Sequence, residues 1–337
     1  MSKNRTTEQI RYHTEFLRQS TVDFATEINA HPPNESTKDF LITIKSFMIA
    51  LNGSFSMQNH PIEFIEADLH HIWHMVVEVA KLTEPEDSTH DSLVILLLYF
   101  RELGMLHRKV DGAEESAVMG NGGRVWTDLP YFPLDLGEEW RRWPGMTAKQ
   151  RAGLAAFTGR CVALGVGGIG VTSYAVWTLE EALGRKEEFT SSGKASGAVV
   201  ELLPVCTILF QECGHKILTL CIDKKISIHC DVVSKFEQTA AIEVVVDKLH
   251  VAKWLSWRQE LQHLSRSQDE VVAKEAKRGF DAMIGCGREM GYVVEGEEKY
   301  WDKTLLLLSQ ELKRSGKGSV GLEDIVTDPH WADQISS

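Results

Sequence analysis

A chain of 337 residues, 43% hydrophobic and 25% charged, can bury a large core as one big domain or two intimate halves. Its net charge of −12 repels phosphate backbones, and the densest basic run, Lys313-Arg314-Ser315-Gly316-Lys317, falls near the C-terminus, so nucleic acid is excluded as a partner. The longest apolar runs, Leu93–Phe100 and Leu305–Leu308, fall far short of the roughly 20 residues of a membrane span, so no membrane is expected either.

Helical periodicity dominates from the start. Met1–Glu8 has no apolar core and reads as no secretory signal. Thr6-x-x-Gln9 predicts a capping box opening an amphipathic helix through Ile28, which His31-Pro32-Pro33-Asn34 breaks. Phe40, Leu41, Ile44, Phe47, Met48 and Leu51 predict a second helix over 38–51, stopped by Asn52-Gly53. Pro61 suits the first turn of a helix running to Leu82. Asp91–Leu103 follows, with Gly104 as its stop.

Residues 108–124 are polar and glycine-rich and read as a loop. Two further capping boxes, Thr147-x-x-Gln150 and Ser267-x-x-Glu270, each precede a helical run. A linker is expected over 184–197, then a long helix over 198–222. Ile226–Cys230 and Ala241–Val246 are the candidate short strands. Helical patterns resume over 248–265, 268–289 and 297–314, and residues 316–337 read as a frayed tail containing Pro329 and Trp331. The fold class is all-α: an irregular multi-helix bundle with at most one or two short strands. Its organisation is a single helical domain over 1–330, divisible into packed halves 1–183 and 198–315.

Three motifs imitate chemistry. Gly165-Val166-Gly167-Gly168-Ile169-Gly170 matches G-x-G-x-x-G, which binds a dinucleotide only when a buried strand precedes it and an acid-tipped strand follows. Here the preceding run is helical and the following one is a Lys/Glu/Ser/Gly linker, so the motif reads as a helix–helix turn. Glu63, Glu66, His70 and His74 share one helix face, but apolar residues from Phe64 to Val79 fill the other side, and the stripe reads as solvated. Glu212-x-x-His215 has the spacing of di-metal carboxylate bundles without the second copy they require. These two residues are the weak metal candidates, and no cofactor is expected. The six cysteines (161, 206, 213, 221, 230, 286) show no CxxC pair and read as reduced core thiols of a cytoplasmic protein. No nucleophile signature is present, and the chain does not say whether it is an enzyme.

What remains is the stretch from Arg124-Val125-Trp126-Thr127-Asp128-Leu129-Pro130 to Glu138-Glu139-Trp140-Arg141-Arg142-Trp143. Trp126, Asp128, Tyr131, Glu139, Trp140, Arg141 and Trp143 are the candidate ligand-binding residues, because they join apolar area to a few close charges.

Several landmarks here, Val125-Trp126-Thr127-Asp128-Leu129-Pro130, Leu154-Ala155-Ala156-Phe157, Tyr174–Leu183 and Trp257-Arg258 among them, resemble a fungal family catalogued as domain of unknown function 3632. The resemblance spans about residues 90–290. It implies an ascomycete source and a soluble, intracellular, helical protein, and it assigns no activity. Gly153 and Ala155 stand where the family tends to carry asparagines, and Glu180 lies where it tends to have a basic neighbour, so function at those points is open to change. The expectation is an accessory or tailoring protein of fungal secondary (small-molecule) metabolism, with an apolar, aromatic-lined pocket for a hydrophobic small molecule. The alternative is a helical scaffold that binds a protein partner. A metal-dependent helical enzyme is the more distant alternative.

Overall fold

The computed structural model describes residues 2–30, 33–184, 197–223, 249–294 and 296–333. Among these residues it holds eleven α-helices and a single two-stranded hairpin. The candidate strands at 226–230 and 241–246, Cys230 and most of the linker lie outside the described residues.

Contacts group the described residues into two units, one up to Val176 and one made of residues 177–223 with 249–333. The first contains α1 (Ser2–Ala30), α2 (Pro33–Ser56), α3 (Ile62–Leu82), α4 (Thr89–Glu102), β1 (His107–Val110), β2 (Ala113–Ser116), α5 (Phe132–Arg141) and α6 (Ala148–Ala163). It also takes the first half of α7 (Gly168–Leu183). Helix α3 is its axis. Ile65, Leu69, Ile72, Trp73, Val76 and Ala80 are fully buried, and α1, α2, α5 and α6 all pack on it.

The hairpin takes the first part of the loop expected over 108–124, and beyond it only a bridge between Val118 and Arg124 forms. Arg108 pairs with Glu115 and Val110 with Ala113 across an Asp111-Gly112 turn. Both turn residues have positive φ, 51° and 83°, the geometry that matches the twist of paired strands. The cap at Thr147 forms as expected: Gln150 N donates to the Thr147 hydroxyl at 3.2 Å and Thr147 N to Gln150 Oε1 at 2.9 Å. Thr6 instead lies inside α1, which begins at Ser2, and α2 runs through Asn52-Gly53 to Ser56. The glycine-rich run joins α6 to α7, with Gly165 and Gly167 at φ 68° and 72°; it is a helix–helix turn.

Helix α6 crosses α3 at Gly153, where a Cβ would sit 2.5 Å from the carbonyl oxygens of both Ala80 and Thr83. Backbone oxygens cannot swing aside as side chains do. Gly153→Ala gains about 1 kcal/mol of helix propensity but overpacks the crossing by about 1–3 kcal/mol or more. The expected outcome is a lower urea midpoint. An unchanged or raised midpoint would show that the two helices are free to separate.

The second unit contains the rest of α7, α8 (Gly197–Ile222), α9 (Val251–Leu264), α10 (Glu270–Glu289) and α11 (Glu297–Ser315). Cys206, Cys213 and Cys221 lie on the buried face of α8, as its pattern predicts, and are free thiols. By length and composition α8 could also cross a membrane, with a mean hydropathy of 1.4 over its best 18 residues. Half of that window is buried within the protein, where α8 packs along α10. The cap of α10 is Asp269, which accepts from Val271 N and Val272 N; Ser267 does not serve.

Residues 316–333 are not frayed. Short 3-10 turns at Leu322–Asp324 and Pro329–Asp333 fold them back onto the helices, and Thr327 and Ala332 are buried.

Candidate functional site

The tryptophan-rich segment builds the aromatic core of the first unit. Trp126 is 1% exposed and donates its indole N–H to Asn52 Oδ1 at 2.7 Å. Its ring lies 4.7 Å from Phe100 and 6.2 Å from Trp73, which donates to the Pro130 carbonyl at 2.8 Å. Trp140 is fully buried and donates to Thr158 at 3.0 Å. Both rings are packed and both N–H groups are paired, so neither aromatic faces an open space.

Backbone strain is concentrated in the same segment. Trp126, Leu129 and Tyr131 have φ of 66°, 46° and 68°, a conformation that bulky L-residues rarely take. The third of these turns Tyr131 onto the His70 ring, at 4.6 Å between centroids.

Of the remaining candidates, Tyr131 and Glu139 meet the polar side of α3, which is a correction to the solvated face. Of the four stripe residues only Glu63 and His70 are exposed, because α5 covers the helix. His70 Nδ1 contacts the Asp135 carboxylate at 2.8 Å. Burial opposes a charged ring, but Asp135 outweighs it and raises the His70 pKa; burial raises Asp135 too, against the pull of His70. One turn on, His74 Nε2 is buried without a hydrogen-bond partner, and burial lowers its pKa.

Further along, Lys81 lies between Glu78 at 2.6 Å and Glu139 at 2.9 Å, all three buried. Arg142 closes the set on Glu139 at 2.7 Å. Burial alone would lower the Lys81 pKa and raise that of Glu139; mutual attraction reverses both. Asp128 pairs with Arg124 at 2.8 Å and Arg141 with Glu138 at 2.6 Å, both at the surface. Trp143 is half-buried beside the Arg151 guanidinium, 6.0 Å away. The seven candidates thus divide into core aromatics, a buried ionic seam, surface pairs and the half-buried Trp143.

The second unit presents an open cleft of about 1030 Å³ that none of the seven lines. Phe210 and His215 of α8, Lys274, Lys277 and Asp281 of α10, and Trp301 of α11 form its walls, with Leu322, Ile325, Val326 and Thr327 on the remaining side. Asp281 is 9% exposed; Tyr300 donates a short hydrogen bond to Oδ1, and Thr327 reaches Oδ2 at 3.4 Å. Burial pushes its pKa up to about 6, against the downward pull of these two hydroxyls and Lys277. The Trp301 indole N–H is buried without an acceptor.

His215 reaches this cleft, but Glu212 does not line it. Among the described residues no three His, Cys, Asp or Glu side chains are placed to hold a metal ion. Sequence reasoning missed Asp281, Tyr300 and Thr327. One signal was present: Asp281 interrupts the apolar face formed by Ala276, Phe280, Met283 and Ile284.

A family model described as a protein of unknown function, DUF3632, matches residues 73–261, from Trp73 in α3 to Leu261 in α9. No curated protein and no solved structure matches the chain. The matched span holds the tryptophan segment, the glycine turn and α8, while α10, α11 and the C-terminal wall of the cleft lie beyond it. With more than half of its length matched, the chain belongs to the DUF3632 family of proteins of unknown function.

Proposed function

We propose that the cleft of the second unit binds a small organic molecule, and that the protein is a cytoplasmic accessory or tailoring protein of fungal secondary metabolism. The observation that carries the binding reading is the buried carboxyl of Asp281 in a cleft of about 1030 Å³. Ligand sites combine such a volume with apolar walls and a few placed polar groups. An acid titrating near pH 6 is also matched to proton transfer at neutral pH. The buried free thiols support the cytoplasmic setting, since reduced cysteines suit a reducing compartment.

The test is ligand-observed NMR with a mixture of small aromatic acids, amines and alcohols against the whole chain and against Ala282→Trp, which fills the cleft. Bound members should lose at least about tenfold in affinity in the filled variant. Binding unaffected by Ala282→Trp, or no binding at all, would sink the reading.

A protein-binding scaffold is the second reading. It is favoured by an exposed apolar stripe, Ile95 and Tyr99 on α4 with Leu103 at its end, beside Ile42 and Ile49 on α2. Lys45 of α2 lies over the Tyr99 ring at 5.9 Å, which places the two helices' stripes side by side.

A further inference from the structure

Residues 316–333 continue from α11 at one end, are held to the second unit at the other, and are attached lightly between. At the first end, α11 stops at Gly316 with φ 66°, and Lys317 Nζ donates to Asp324 Oδ1 at 2.5 Å. Asp324 also accepts from Gly321 N at 3.1 Å, which closes this end into a compact loop. At the second end, Gln262 of α9 donates to the Pro329 carbonyl at 3.1 Å, and Trp331 packs 6.2 Å from the Tyr300 ring. The Ala332 carbonyl lies directly against Gly296, where no Cβ fits.

Between these ends the segment forms one wall of the cleft through Leu322, Ile325, Val326 and Thr327. Among the described residues its backbone hydrogen bonds are local, from Asp324 N to Gly321 O and from Ile325 N to Leu322 O. Val326 is 79% exposed, whereas Thr327 is 4% exposed and reaches Asp281. A segment with few hydrogen bonds to its support opens at low cost, while fixed ends keep it in place.

We propose that residues 319–328 are a strap, a movable wall of the open cleft that covers the Asp281 carboxyl and is latched on it by the Thr327 hydroxyl. The inference rests on the cleft being the ligand site. It adds a point of control: a ligand in the cleft reaches the Asp281 carboxyl when the latch releases.

Hydrogen–deuterium exchange on the whole chain tests the strap without any ligand. Thr327→Val removes the latch and keeps the shape; exchange in 319–328 should rise about tenfold, with 297–312 unchanged. Thr327→Ser should restore the slow rate. Unchanged exchange in Thr327→Val, or acceleration of 297–312 along with 319–328, would overturn the strap. Binding of 8-anilinonaphthalene-1-sulfonate to the whole chain and to Ala282→Trp is measured in parallel. Equal binding to both counts against the ligand site, and the exchange result then judges the latch separately.

Discussion

Lys81→Met is expected to destabilise the first unit by about 3–5 kcal/mol. The ammonium lies between two buried carboxylates, Glu78 and Glu139, and each of the three side chains is about one-tenth exposed. Its removal leaves Glu78 without its 2.6 Å partner and Glu139 with Arg142 alone. Methionine keeps most of the lysine volume, so the loss reports charge and not a cavity. The control is Lys81→Met combined with Glu78→Gln and Glu139→Gln. Neutral amides bear burial far better than unpaired carboxylates, and most of the loss should return. Urea unfolding of the three proteins decides the matter. A single-variant loss below about 1 kcal/mol would mean that the seam behaves as a surface ion pair.

This seam also shows where sequence reasoning stops. The 3.6-residue period marked α3 correctly and put Glu66, His70 and His74 on one side of it. Nothing in one helix says what covers that side. Glu139 was singled out for its aromatic neighbours, while its partner Lys81 sits 58 residues earlier at the end of a helix that looked simply amphipathic. The glycine turn was legible because a dinucleotide site needs strands that the pattern lacks. The hairpin was legible in principle, through Asp111-Gly112, but its strands carry too few apolar side chains to show an alternation. The cleft was not legible. Its walls come from α8, α10, α11 and the C-terminal segment, and only packing brings Phe210, Asp281, Trp301 and Thr327 around one space. Nor could composition separate a tryptophan that lines a pocket from one that fills a core. Asn52 and Thr158, which pair the indole N–H groups of Trp126 and Trp140, lie in other helices and decide that question.

Acidification should act on the two units with opposite sign. In the first unit His71 and His90 are 3% and 0% exposed, and burial lowers both pKa values from 6.5 to about 4. The unfolded chain then binds protons that the folded unit refuses, so stability is intact above pH 6.5 and falls as pH drops toward 4. Each histidine costs about 2 kcal/mol by pH 5 and about 3 kcal/mol below pH 4. Asp281 in the second unit works the other way. Its pKa is raised from 3.8 to about 6, so the folded unit takes up a proton before the unfolded chain does. That unit gains about 1 kcal/mol by pH 5 and up to about 3 kcal/mol below pH 4 from this group. Urea unfolding at pH 7 and pH 5, followed by hydrogen exchange to assign each transition, should show the first unit weakening while the Asp281 contribution favours the second. His90→Asn removes one titrating ring and, whatever its baseline stability, should remove about 2 kcal/mol of the first unit's pH dependence. Asp281→Asn should remove the opposing dependence from the second unit alone. If His90→Asn kept the full slope, the His90 ring of the unaltered chain would have to take up its proton inside the fold as readily as in the unfolded chain, and burial would not be what sets the pH dependence.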